Sequence, residues 1–188
     1  LEDTATFFDR VGKKLSAIDV STFALSNAYC ATVLPEEREK SVVVFNIGEK
    51  KMDAVYLLNG NFHSYRTMTS GALDSVISML TKHLNIDAEK CHTIFESGDT
   101  SCVDGFSEAE VEEALKISYE EIVSAVEFGI RFFSTQDNAE NPEKIFLGGG
   151  GACLPNLASY LTERRGLSVE TVNPFRNVTC DSAVVGES

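Results

Sequence analysis

Four consecutive glycines, Gly148 to Gly151, follow the short apolar run 144–147 and precede a helical pattern. A strand that ends in glycine lets backbone approach a ligand closely, because no Cβ stands in the way. The N-terminus of a following helix adds free N–H groups and partial positive charge, a combination that suits phosphate. Glycine-rich strand-to-helix turns also occur without any ligand, so the run alone divides about evenly between a binding turn and a tight connection. A second feature is Val44-Phe45-Asn46-Ile47-Gly48, where a polar residue and a glycine end a β-branched run and can present backbone to a phosphate. By itself that stretch reads as an ordinary hairpin end.

The elements that must position these residues follow from periodicity and turn chemistry. Residues 41–47 (SVVVFNI) form a β-branched run expected as a buried strand, 53–58 a second strand and 61–68 a third. Asn59-Gly60 between the last two predicts a type I′ hairpin, which needs positive φ at both central residues. Leu73, Val76, Ile77, Leu80 and Leu84 make one helical stripe with Ser70 as N-cap, 88–95 a short helix and 97–106 a loop. Ser107 caps a long helix whose inward face is Val111, Leu115, Tyr119, Ile122, Val126, Ile130 and Phe133. The glycine run then leads into a helix with Pro155 near its first turn and Leu154, Leu157, Ala158 and Leu161 inward. Gly166 ends that helix as a left-handed cap, and 169–172 is the last strand, closed by Asn173-Pro174.

Upstream, Phe7, Phe8, Val11 and Leu15 mark a helix over 4–15, and 17–20 suits a short strand. Ser21 is expected to cap a helix carrying Phe23, Leu25 and Ala28, and 35–40 is a polar loop. From the hairpin onward the order is β-β-β-α-α-α-β-α-β, which predicts an α/β domain with a mixed sheet covered by helices.

Composition narrows the function. The chain has 188 residues, 43% of them hydrophobic, enough for one domain or a domain with a small insertion. Its net charge of −13 argues against nucleic acid and anionic lipid as ligands. Glu108, Glu110, Glu112, Glu113, Glu120, Glu121 and Glu127 concentrate acid on the long helix and read as a solvated face. Cys30, Cys91, Cys102, Cys153 and Cys180 are scattered and odd in number, which speaks against a disulfide framework or zinc site and for a reducing compartment. His63, His83 and His92 share no helical spacing and read as surface or structural. Asn177-Val178-Thr179 reads as a chance match to the glycosylation sequon. No apolar run is long enough to span a membrane. No signal peptide is visible, and the start at Leu1 is expected for a piece of something longer. No GxSxG elbow, Walker A loop or HExxH occurs, so no catalytic residue is assigned.

Gly149-Gly150-Gly151-Ala152-Cys153-Leu154-Pro155 fits the adenosine motif of actin-family proteins, in which a strand leads to two glycines, a small residue and a proline. The continuation through Asn156-Leu157-Ala158-Ser159-Tyr160-Leu161 to Asn173-Pro174-Phe175 resembles the second half of the PilM family of type IV pilus assembly proteins. The likeness to the cell-division protein FtsA is more distant. Ala17-Ile18-Asp19-Val20 with Phe23-Ala24-Leu25 resembles the stretch that precedes that half. The resemblance implies a ribonuclease H-like domain of the actin-like ATPase fold. Residues 1–69 and 107–188 would bear the sheet and 70–106 would form a small inserted subdomain.

It further implies ATP with Mg²⁺ in a cleft of which this chain is one wall, with Asn46, Gly48, Gly149, Gly150 and Gly151 as binding residues. The partner implied is the cytoplasmic tail of an inner-membrane, PilN-like protein, with self-association possible. The setting implied is the cytoplasm, at the inner membrane face. The family's second phosphate motif has Asp-Ile-Gly where this chain has Asn46-Ile47-Gly48, so the charge that helps hold Mg²⁺ is missing and hydrolysis is expected to be weak. Glu49 and Lys50 can supply a carboxylate and an ammonium there, but read as solvated turn residues. Two other readings stand beside the scaffold: an actin-like ATPase or small-molecule kinase, for which no substrate base is identifiable, and an interaction module without nucleotide.

Overall fold

The computed structural model describes residues 2–179, apart from the side chain of Cys102, so Cys180 lies outside the described residues. Three hairpin-linked strands, β1 (Val42–Ile47), β2 (Met52–Leu58) and β3 (Asn61–Met68), are joined by β4 (Lys144–Gly148) and β5 (Ser168–Thr171) in the order β3-β2-β1-β4-β5. β1 is central, antiparallel to β2 and parallel to β4, and β4 is parallel to β5. The Asn59-Gly60 turn has φ of 52° and 71°, the left-handed pair that a type I′ turn requires.

Alternation along β1 divides the core. Val43, Phe45 and Ile47 face one layer of helices, and Val42 and Val44 face the other. On the first face lies α6 (Glu108–Phe133), whose start is fixed by a capping box between Ser107 and Glu110. Its buried residues include the whole predicted stripe. At Gly129 a Cβ would come within 2.9 Å of Phe45 Cε1, so the missing side chain lets the helix settle on the central strand. α4 (Leu73–Leu84) and α5 (Ala88–Ser97) pack through Val76, Leu80, Leu84, Cys91 and Ile94 into the same core, followed by a 3-10 turn at Thr100–Cys102. α7 (Leu157–Arg165) completes the layer and ends at Gly166 with φ 67°.

The second face is covered by α2 (Ser21–Thr32), whose Tyr29 ring meets Phe146 edge-on at 4.9 Å. A buried ion cluster lies beyond it. Lys144 on β4 pairs with Glu37 of the short helix α3 (Pro35–Arg38) and, at 2.7 Å, with Glu170 of β5. Asn177, the sequon residue, donates from its side chain to the Ala31 carbonyl at 2.7 Å, which straps the segment after β5 onto α2.

Several expectations are corrected. Residues 17–20 form no strand: they are exposed, with Ile18 and Val20 about half accessible, because no described strand lies beside them to complete a ladder. The leading helix α1 spans Glu2–Arg10, shorter than expected, and buries none of its residues. Val20 takes the N-cap position of α2, and Ser21 is already helical. Residues 35–38 are helical because Pro35 stands at the first helical position, where its fixed φ starts a turn. Ser70 does not cap α4. The chain passes through left-handed Gly71 (φ 70°), Ala72 takes the cap position, and the free N–H groups of Leu73 and Asp74 donate to the carbonyls of Gly48 and Glu49 at 3.0 and 2.9 Å.

A bulge interrupts the β2–β3 ladder at Tyr56/Leu57, leaving His63 as the extra residue. It places Phe62 and Tyr65 on the α2 face, although three positions separate them, and Phe23 packs edge-on against Phe62 at 4.9 Å.

Burial alone lowers the Lys144 pKa, but hydrogen bonds and charges from Glu170 and Glu37 outweigh it and leave the group above lysine's ordinary value. A raised folded pKa means the contribution is full at neutral pH and is lost only as pH rises through that elevated value. Lys144→Ala, which leaves buried Glu37 with only the more distant Arg176 guanidinium at 3.9 Å, is expected to cost about 3 kcal/mol in urea unfolding. The cost should be the same from about pH 7 to pH 9 and shrink only in strongly alkaline solution.

Candidate functional site

The site is built where β1 and β4 end side by side. Asn46 pairs with Gly148 in the parallel ladder, so the glycine run starts beside the polar end of β1. Gly149 has φ 78° and ψ 178°, a conformation reserved almost wholly for glycine, and a Cβ there would lie 2.6 Å from Asn46 Oδ1 and from the Ile47 carbonyl oxygen. At Gly151 a Cβ would overlap the Ile47 side chain. Gly150 is exposed, and a Cβ there would meet nothing within 4 Å. The glycines therefore differ in purpose. Gly149 and Gly151 let the turn sit on the end of β1, and Gly150, exposed like Gly149, is the one where an added side chain would meet open space.

The run does not pass directly into an α-helix. Gly150–Cys153 form a 3-10 helix, Pro155 follows it, and left-handed Asn156 (φ 57°) precedes α7. Pro155 thus lies outside the helix, contrary to expectation, because two consecutive changes of backbone direction separate the glycine turn from α7. Tyr119 of α6 holds this turn by donating its hydroxyl to the Pro155 carbonyl at 2.9 Å, and burial pushes that phenol's pKa up.

Gly48 spends its backbone within the fold. Its N–H donates to the Lys51 carbonyl at 3.0 Å and its carbonyl receives Leu73 N–H. An added Cβ would press on the Lys51 carbonyl at 3.0 Å, so the missing side chain serves the turn itself. Asn46 lies opposite Asp53 on β2, and Asp53 opposite Thr67 on β3, so Gly148, Asn46, Asp53 and Thr67 form a row across four strands on one face. Asp53 is only 2% exposed; it accepts from Thr67 Oγ1 at 2.6 Å and pairs with Lys51 Nζ at 3.1 Å. Sequence reasoning missed this pair. The available signal was an acid sharing the inward alternation of Val55 and Leu57.

A cavity of about 230 Å³ opens between α6 and the start of α7, one turn past the glycines. Glu112, Leu115, Lys116 and Tyr119 line one side, and Pro155, Asn156, Ser159, Tyr160 and Glu163 the other. Its outer rim is tied together by Glu120, which accepts from the Tyr160 hydroxyl and takes both bonds of Arg164 at 2.9 and 2.7 Å. Glu127 pairs with Arg165 at 3.1 Å. Part of the acidic stripe on α6, expected to be solvated, thus joins the two helices. Among the described residues no group of three or more His, Cys, Asp or Glu side chains is placed to hold a metal ion.

The mixed sheet, its helical layers and the glycine turn seated against the central strand define the actin-like ATPase fold. Solved structures agree. MreB5 of Spiroplasma citri bound to AMPPNP matches with TM-score 0.69 at 15% identity, over 94% of this chain and 60% of that chain. The ethanolamine utilization protein EutJ from Carboxydothermus hydrogenoformans matches with TM-score 0.64 at 16% identity, over 93% and 57%. A PilM-PilN type IV pilus biogenesis complex matches with TM-score 0.72 at 23% identity, over 93% of this chain and 47% of that chain. The family model for type IV pilus assembly protein PilM matches residues 1–188, and the chain belongs to that family. It spans about half the length of the chain it matches in the PilM-PilN complex. No curated protein matched it.

The division of labour among the glycines can be tested by stability alone. Gly151→Ala must displace Ile47 and is expected to cost about 1–3 kcal/mol in urea unfolding. Gly150→Trp, at the open position, should unfold within about 0.5 kcal/mol of the unaltered protein.

Proposed function

We propose that this chain forms one wall of a nucleotide-binding cleft in a PilM-like scaffold of type IV pilus assembly. The observation that carries the reading is Gly150, held bare and exposed at the carboxyl ends of β1 and β4 by two neighbouring glycines that are packed against β1. Ligands of open α/β sheets bind outside the carboxyl ends of strands, where connections diverge. The adenosine end of ATP takes the Gly150 turn and the adjoining cavity, where Tyr160 offers an aromatic face and Glu112 and Lys116 offer polar contacts. The phosphates run toward Asn46 and Gly48. The opposite wall is the remainder of the longer protein.

The partner is the cytoplasmic tail of a PilN-like inner-membrane protein, in keeping with the PilM-PilN complex that this chain resembles. Among the described residues no helix is long and apolar enough to cross a membrane. Recruitment to the inner membrane face falls to that partner. The output is a nucleotide-dependent change in how the scaffold holds its partner, with at most weak hydrolysis. The resemblance also implies Mg²⁺, but the residues here do not fit it. Asn46 is neutral, and the Asp53 carboxylate opposite it is already engaged by Lys51 and Thr67.

Calorimetric titration of ATP into the full-length protein tests the reading. Binding is expected in the unaltered protein and lost in Gly150→Trp. Absence of binding in a folded protein would overturn the cleft and leave a nucleotide-free interaction module.

A further inference from the structure

A triphosphate brought to the end of β1 needs its charge offset, either by a divalent cation held on carboxylates or by ammonium groups. The position best placed to hold a cation carries an amide, Asn46, whose Oδ1 abuts the Gly149 turn. The carboxylate directly across the ladder, Asp53, is 2% exposed and has both Thr67 Oγ1 and Lys51 Nζ as partners. A metal ion could reach it only by displacing Lys51.

Lys51 itself is poised for a second contact. Its side chain is 54% exposed while its ammonium stays 3.1 Å from Asp53 Oδ2. An ammonium has three donors, and the contact with Asp53 leaves others free to face an incoming anion. Holding the flexible lysine stem in advance removes part of the entropy cost of binding. Lys50 adds a second cation in the same turn. The turn is fixed in place by its bonds to the start of α4.

We infer that this site takes the polyphosphate of a nucleotide without a divalent cation, with the Lys51 ammonium, braced by buried Asp53, supplying the positive charge. The inference rests on the nucleotide reading above. The remaining carboxylates at the turn, Glu49 and Asp74, are exposed and linked only through the Asp74 N–H to Glu49 carbonyl bond, so they leave that charge to the lysine.

The test is calorimetric titration of ATP into the full-length protein, once in EDTA and once in Mg²⁺. Binding in EDTA should be at least as tight as in Mg²⁺. Lys51→Gln should weaken it about tenfold or more, the scale of a lost charge-assisted phosphate contact. Lys51→Arg should retain it. Because Lys51→Gln leaves buried Asp53 with the Thr67 hydroxyl but no cation, the Lys51→Gln/Asp53→Asn double variant, whose amides can pair, serves as a second test and should show the same loss. Asn46→Asp should convert the site to one that requires Mg²⁺. Binding confined to Mg²⁺, especially if Glu49→Gln/Asp74→Asn abolishes it, would overturn the inference and leave the nucleotide reading intact. Binding in EDTA unaffected in both Lys51 variants would also overturn it. No binding in either buffer would overturn the nucleotide reading, and this inference with it.

Discussion

Everything at the candidate site depends on the glycine turn lying directly on the end of β1. Ile47 is fully buried because Gly149 and Gly151 leave room for it, and those two glycines in turn fix where Gly150 points. The same strand end receives α4, whose first N–H groups end on Gly48 and Glu49 carbonyls. One strand end therefore sets the turn after β4, the start of a helix and the loop into β2. Behind it, Phe45 meets α6 at Gly129, so the longest helix is referenced to the same strand. Close packing of this kind transmits small displacements instead of absorbing them.

The two sides of the site are held by different forces. Toward β2 and β3 the support is polar and buried, with Asp53 satisfied by a hydroxyl and an ammonium. Toward α6 and α7 it lies at the surface, where Glu120 gathers Tyr160 and Arg164 and Glu127 takes Arg165. Exposed pairs contribute little to stability, but several held in common geometry fix the spacing of two helices. That spacing is the width of the cavity between them. Tyr119 adds the link from α6 to the turn itself.

Much of this was legible in the sequence because it is local. The three strands, the Asn59-Gly60 hairpin, the capping box at Ser107 and the Gly166 cap each follow from residues a few positions apart. The losses were long-range. The stretch 17–20 has the composition of a strand, yet a strand exists only where another lies beside it. Ser70 and Ser21 have suitable side chains, but in one case backbone carbonyls from the β1–β2 turn do the capping and in the other the chain turns helical one residue early. The glycines read as a single motif, whereas their tasks separate only once Ile47 is seen beneath them. Asp53 and Thr67 lie on different strands, and neither is conspicuous until the hairpin register brings them face to face.

The bulge at Tyr56/Leu57 has a consequence outside the site. Among the described residues β3 is an edge strand, and such an edge is the kind of surface onto which another chain can add. It also carries Phe62 and Tyr65, aromatic and partly exposed. A regular edge with that character invites sheets to join into aggregates. The extra residue at His63 breaks the repeat midway along the strand, and the ring is anchored inward by the Asp137 carbonyl at 3.0 Å. An incoming strand therefore finds no uninterrupted register to copy, and the domain can keep an aromatic edge without that edge becoming a template for fibre growth.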